Sequence, residues 1–138
     1  MAEYERNAGA IRAAGASIVA LSVDSAQRCE GVRRELGLSF PILCDTSRTV
    51  VRAWDLYNPS EMGGIAIPAV FVIGPDLRVR YRSVDRTRDR VSTAGVLGLL
   101  RGSARPETIE RTPIRAGLTE FARAFSNAIR RGLKTPQK

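Results

Sequence analysis

The sequence predicts an α/β domain followed by a basic helical tail. Three observations carry that reading. Mostly apolar, β-branched runs alternate with segments of helical period. The strongest of these runs is followed by a turn and a second, alternating strand. The last quarter of the chain then changes in composition and charge. With 138 residues, 43% hydrophobic and 26% charged, the chain is long enough for one domain with an adequate core.

Each element has a local reason. In residues 3–14, Tyr4, Ala8, Ile11 and Ala14 share a helix face, and Gly15 is a plausible stop. "SIVALSV", residues 17–23, fits a strand buried on both faces, as in parallel sheets. Asp24 or Ser25 caps a helix that ends at Gly37. "FPILCD" is a short strand entered through Pro41, and "TSRTVVRAWDLY" a helix with Val50, Val51, Trp54 and Leu56 turned largely inward. "NPSEMGG" reads as a loop. "AVFVI" is the strongest strand, "GPDL" a turn, and "RVRYRSV" alternates as a half-exposed strand does. The two strands form an antiparallel hairpin, the second near the sheet edge. "TAGVLGLL" closes the domain as a short helix. The order α-β-α-β-α-β-β-α predicts helices packed on a sheet.

The net charge is +8, and it is unevenly placed. Residues 1–102 carry 14 basic and 11 acidic groups, residues 103–138 carry 8 and 3. The expected domains are therefore 1–102 as the folded unit, 103–113 as a linker, and 114–138 as a basic amphipathic tail. In the tail Ile114, Leu118, Phe121, Phe125 and Ile129 share one face. Packing onto the domain or a second copy suits that face better than nucleic acid or a membrane surface. The tail's aromatic residues, Phe121 and Phe125, belong to the apolar face and are not read as a base-stacking set among its arginines. The apolar runs are too short to span a bilayer. The N-terminus places acids and arginines where a signal peptide would be apolar, so the expected location is cytoplasmic.

Histidine is absent, which removes the commonest general base and every triad or metal site built on imidazole. The two cysteines, Cys29 and Cys44, are fifteen apart without a C-x-x-C spacing. Two thiols alone do not make a zinc site, and neither a metal nor a cofactor is expected. Cys29 follows a helix cap with Arg28 beside it and Arg33 a turn on, a mildly activating setting for a thiolate. Cys44 ends a strand just before Asp45, an unfavourable neighbour for a thiolate. In "GGIAIPAVFVIGPDLRVRYRSV", residues 63–84, Pro68 precedes an apolar strand. It is either a strand-opening residue, an edge or turn residue, or a cis-proline at a functional surface.

Four segments in this order carry a resemblance: "AGASIVALSVDS", "LGLSFPILCDTSRTVVRAWDLY", "GGIAIPAVFVIGPDLRVRYRSV" and "VSTAGVLGLL". From about residue 2 to 101 the chain resembles the C-terminal three-quarters of a redoxin of the peroxiredoxin family, also called AhpC/TSA. The resemblance implies a thioredoxin-like sandwich, a mixed sheet flanked by helices, missing its first strands. It implies thiol-dependent, antioxidant peroxide reduction with a dithiol protein as reductant. Within it, Pro68 would be the cis-proline opening the strand beside the active site, and Ile67 would face the reactive cysteine. Many peroxiredoxins have an activating arginine near the position of Pro68, and here it is proline, as in thioredoxin-like branches.

The family's peroxidatic-cysteine motif opens the helix that here begins at Met1, so the nucleophile would lie ahead of it. The expectation is a chain inactive as a peroxidase, with Cys29 as the fallback nucleophile. The absent strand would sit between 17–23 and 69–73. Those two strands could pair directly, a second chain could fill the gap as a homodimer, or the sequence is a fragment of a longer protein. A non-catalytic protein-binding or self-associating module is the rival function.

Overall fold

The computed structural model describes residues 1–60, 64–85, 89–109 and 111–113. In chain order it comprises α1 (Ala2–Arg6), α2 (Ala8–Ala13), β1 (Ala20–Ser22), α3 (Ala26–Glu35), β2 (Ile42–Cys44), α4 (Thr49–Ala53), β3 (Tyr57–Asn58), β4 (Ile65–Ala66), β5 (Ala69–Ile73), β6 (Val79–Val84), β7 (Asp89–Val91) and α5 (Thr93–Leu100). A 3-10 turn (Pro106–Thr108) and β8 (Arg111–Pro113) follow. The expected tail helix lies outside the described residues.

The first predicted helix is two. Asn7 breaks it, with φ −104° and ψ 4°, and its side-chain amide donates to the Glu3 carbonyl at 2.9 Å. A short amide side chain competing for a backbone acceptor is a local route out of a helix. Ala8 and Ile11 bury the inner face of α2, and α2 packs against α5. The Glu3 carboxylate accepts from the Thr93 backbone N–H at 3.2 Å, joining α1 to the start of α5. That helix is capped by Ser92, whose hydroxyl accepts from Gly95 N–H at 3.1 Å.

β1 and β2 run parallel, Ser22 opposite Cys44. The ladder continues one step as Asp45 N–H donates to the Ser22 carbonyl at 2.7 Å. Asp45 is buried because its carboxylate has work there. One oxygen accepts from Thr49 N–H and the other from Val51 N–H, both at 2.9 Å. It thus satisfies two amides of the first turn of α4 that have no partner within the helix. Val51, held by this cap, is fully buried, and Leu56 is nearly so. Val50 and Trp54 stay 40% exposed, against the expectation that both turn inward. A five-residue helix has room for one buried stripe, and Val51 occupies it.

β5 and β6 form the expected antiparallel hairpin, Ala69 opposite Val84. The register shifts between Val72 and Ile73, leaving Arg80 as the extra residue of a bulge. "NPSEMGG" is flanked by pairing that the sequence does not signal: Tyr57 lies opposite Ala66 and Asn58 opposite Ile65. Gly64, at φ +99°, lies under the Tyr57 ring, where a Cβ would collide with the phenol.

At the end of the stretch expected as a linker, 103–113, β8 pairs antiparallel with β7. Arg111 Nη2 donates to Asp85 Oδ1 at 2.9 Å, and satisfying that buried carboxylate holds the segment down. Of the arrangements left open for the sheet, direct pairing of β1 with β5 is not the one adopted. Among the described residues β1 pairs only with β2, and β5 only with β6. β1 is accordingly not buried on both faces: Leu21 is 39% exposed, and Val19 just before the strand 57%. No side chain of β5 is fully buried either.

Asp45→Ala is expected to cost about 2 kcal/mol of unfolding free energy, since two amides lose their acceptor. A urea titration would show a lower midpoint at unchanged slope. An unchanged midpoint would mean that water serves those amides equally well.

Candidate functional site

Ile67 and Pro68 lie between the β3–β4 pair and β5. Ile67 N–H donates to the Leu56 carbonyl at 2.6 Å, and the Pro68 carbonyl accepts from Asp85 N–H at 2.8 Å. Ile67 is half-buried and Pro68 exposed, so both are at a surface. The Ile67–Pro68 peptide is trans, as no cis bond occurs among the described residues. This corrects the cis-proline expectation. The two flanking hydrogen bonds carry an extended chain straight from β4 into β5, which suits the trans form and gives no tight turn to favour the other.

Behind Pro68 sits a polar cluster that the sequence did not reveal. Asp85 is buried at 3% exposure. Ser83 Oγ donates to Asp85 Oδ1 at 2.7 Å, and Arg111 Nη2 reaches both Asp85 Oδ1 and, at 2.6 Å, Ser83 Oγ. Arg90 Nε is 3.9 Å from Asp85 Oδ2. The cluster is a buried carboxylate neutralised by arginines, and removing one partner alone would be costly. Tyr4, on α1, is near enough to feel Asp85 and Glu3. Burial first, then those carboxylates and Tyr81, push its phenol up to about 12. On the strands and helix flanking this segment, Trp54 meets Phe71 edge to face, with centroids 4.6 Å apart, and Arg52 stacks 4.7 Å above Tyr57.

The thiols occupy a different place, the C-terminal ends of β1 and β2. Cys29 faces inward from α3 at 5% exposure, whereas Cys44 is exposed. The activating setting read from the sequence is not realised. Arg28 pairs with Asp24 at 2.9 Å, and Arg33 forks onto Glu30 at 2.7 and 2.9 Å. Arg33 and Arg34 hold the Glu30 carboxyl down at about 2. Both arginines beside Cys29 are thus committed to carboxylates. Burial, then the neighbouring Cys44 thiol and Asp24, push the Cys29 thiol up to about 11, the wrong direction for a nucleophile. The two cysteines, fifteen apart in sequence, are neighbours in space. Among the described residues no three carboxylate or thiol side chains are grouped to hold a metal, and no helix is long and apolar enough to cross a membrane.

The sequence model of the AhpC/TSA family matches residues 1–82. The chain belongs to the AhpC/TSA family. In two strains of Mycobacterium tuberculosis, a protein classed as a peroxiredoxin is 31% identical to it over 81 residues, 56% of this chain and 52% of the relative. The chain thus spans about half the length of the curated relatives it matches. Reduced Prx3 of Vibrio vulnificus, solved in complex with hydrogen peroxide, superposes with a TM-score of 0.64 at 18% identity, covering 72% of this chain and 66% of that one. A cysteine-to-serine mutant of peroxiredoxin 6 from Arenicola marina also gives 0.64 at 18% identity, over 91% of this chain and 69% of that one. The bacterioferritin comigratory protein of Xanthomonas campestris, studied for alkyl peroxide reduction, gives 0.60 at 22% identity, over 75% and 68%. The α/β fold of this AhpC/TSA chain is therefore the thioredoxin-like fold of the peroxiredoxins.

The folded protein keeps the Tyr4 proton where an unfolded phenol, titrating near 10, has lost it. Tyr4 ionisation is thus without effect on stability below pH 10 and lowers stability as pH rises from 10 towards 12. Tyr4→Phe is expected to lessen the alkaline loss of stability, seen as a smaller fall in Tm between pH 9 and pH 11. An identical fall in both proteins would mean that Tyr4 titrates as an open phenol.

Proposed function

We propose that this AhpC/TSA chain serves thiol-dependent peroxide reduction as scaffold and substrate surface, with a dithiol protein as reductant. In that chemistry a thiolate attacks the peroxide O–O bond, becoming a sulfenic acid as water or an alcohol leaves. A dithiol then restores the thiol and becomes a disulfide. The observation that carries the reading is the family match across residues 1–82, the part that folds into α1 to β5 and most of β6. Ile67 and Pro68 are the proposed substrate surface. Their flanking amide and carbonyl already have internal partners, so they act through shape and apolar contact.

Neither cysteine of residues 1–138 is set as a peroxidatic thiolate. Cys29 is buried with its proton held, and Cys44 ends a strand instead of opening a helix. The 138 residues are therefore proposed to be inactive alone. The nucleophile acting on this surface comes from outside them, in the same polypeptide or in a partner. The test compares hydroperoxide consumption, with dithiothreitol as reductant, by the 138 residues and by a chimera. The chimera carries ahead of Met1 the peroxidatic-cysteine segment of the Vibrio vulnificus Prx3. Turnover by the chimera, lost on changing the added cysteine to serine, is expected. Catalytic turnover by the 138 residues alone, abolished by Cys29→Ser, would overturn the proposal.

A second reading, self-association through the sheet, is favoured by one observation. β1 and β5 each have one paired edge among the described residues, beside exposed Val19, Leu21 and Ile73. Unpaired strand edges next to apolar side chains template another strand. Sedimentation velocity across a hundredfold concentration range would show a monomer–dimer shift on this reading, and a constant monomer would end it.

A further inference from the structure

A small cavity of about 180 Å³ opens between α2 and the segments that lead into β1 and β2. Local turns shape it. Gly15, at φ +79°, ends α2, its N–H donating to the Arg12 carbonyl at 2.9 Å, and Ala16 N–H follows onto the Ile11 carbonyl at 3.2 Å. The chain thereby turns back across the end of the helix, and Ser17 and Ile18 line the same cavity as Ala8 and Arg12. Ala20 N–H donates to the Pro41 carbonyl at 3.0 Å, which holds the two strand entrances side by side. Ala8 and Phe40, 2% and 6% exposed, give the cavity an apolar floor. Arg12, Ser17 and Ser39 are exposed and give it a polar mouth.

Arg12 is the charge at that mouth. Among the described residues its guanidinium meets only the Ser39 hydroxyl, with Nη1 at 3.5 Å. The Glu5 carboxylate is engaged elsewhere, accepting the Ser39 N–H at 2.7 Å and the Ser39 hydroxyl at 3.1 Å. The Ser39 proton is thus directed to Glu5 and its lone pairs to Arg12, so Ser39 positions the guanidinium and offers no donor of its own. Most of the five donors of the Arg12 fork remain open. A guanidinium fork beside an apolar floor matches a carboxylate carried on an apolar body. A cavity of about 150 Å³ admits benzene, so this one takes a body of about six carbons.

We propose that the cavity binds a small organic monocarboxylate whose apolar body is about the size of a benzene ring. The carboxylate accepts two hydrogen bonds from Arg12 and one from the Ser17 hydroxyl, and the body lies on Ala8, Ile18 and Phe40. One cation and one hydroxyl suit a monoanion, whereas a phosphate dianion finds too few donors and leaves the floor unused. The site stands at the N-terminal ends of β1 and β2, the end away from Cys44, and shares no residue with Ile67 and Pro68. A ligand seated there joins α2 to both strand entrances and stabilises the fold by mass action. It does not depend on the proposed peroxide chemistry.

Benzoate is titrated into the full chain and followed by backbone amide NMR. The expected result is a saturable set of shifts confined to α2, residues 15–18 and residues 39–41. Benzamide keeps the shape without the charge, and inorganic phosphate keeps charge without the body. Each is expected to bind about tenfold more weakly than benzoate, the scale of one lost charge-assisted hydrogen bond or a few buried carbons. Arg12→Gln is expected to weaken benzoate by a similar factor, with Arg12→Lys between the two because it keeps the charge and loses the fork. Scattered or non-saturating shifts with benzoate would overturn the proposal, as would equal affinity for phosphate or for benzamide, or an undiminished affinity in Arg12→Gln. Where the glutamine variant does not fold, the three probes on the wild-type chain decide the matter.

Discussion

Asp45 is the constraint on which this architecture turns. Its amide extends the parallel ladder of β1 and β2, while its carboxylate closes the start of α4. One residue thereby fixes where a sheet ends, where a helix begins and the angle between them. Val51, Leu56 and the chain leading to Ile67 take their places from it, because Leu56 supplies the carbonyl that receives the Ile67 amide. A buried carboxylate is ordinarily a liability. Here the backbone amides of the helix it starts make it an asset.

The elements best read from sequence are those whose cause is local. The β5–β6 hairpin follows from an apolar run, a "GPDL" turn and an alternation of arginine with Val79 and Tyr81. The start of α3 at Ser25, one of the two positions the sequence offers, and the stop at Gly37, with φ +59°, are equally local. What escaped has long-range causes. Nothing in "RTP" marks a strand, and its pairing rests on an arginine meeting a carboxylate 26 residues away. The Asn7 break is invisible because asparagine within a helical pattern is unremarkable until its amide finds Glu3.

The site was half legible. Ile67 and Pro68 are read as a substrate surface from the strand they precede and the family they resemble; Pro68 is exposed and Ile67 half-buried. The isomer of the Pro68 bond was not readable, because it depends on partners at Leu56 and Asp85. Cys29 illustrates the opposite error. Nearby arginines in a sequence suggest activation, but each of these arginines has its own carboxylate, so its charge is not available to the thiol. Spacing along the chain likewise said nothing about how near Cys44 lies to Cys29. A βα connection brings residues together across a layer by a route no motif encodes.

The pairing registers also bear on how the chain finds this structure. Ala20 meets Ile42, Tyr57 meets Ala66, Ala69 meets Val84 and Asp89 meets Pro113. Every ladder among the described residues joins segments near each other along the chain, and the entropy of closing a loop grows only with the logarithm of its length. Such local topology places the chain on the rapid side of the relation between contact order and folding rate. Among the described residues the Glu3 carboxylate reaches the Thr93 amide across 90 positions of sequence. The pairs can assemble separately, and the clasp between the two distant helices is the closure that makes them one body.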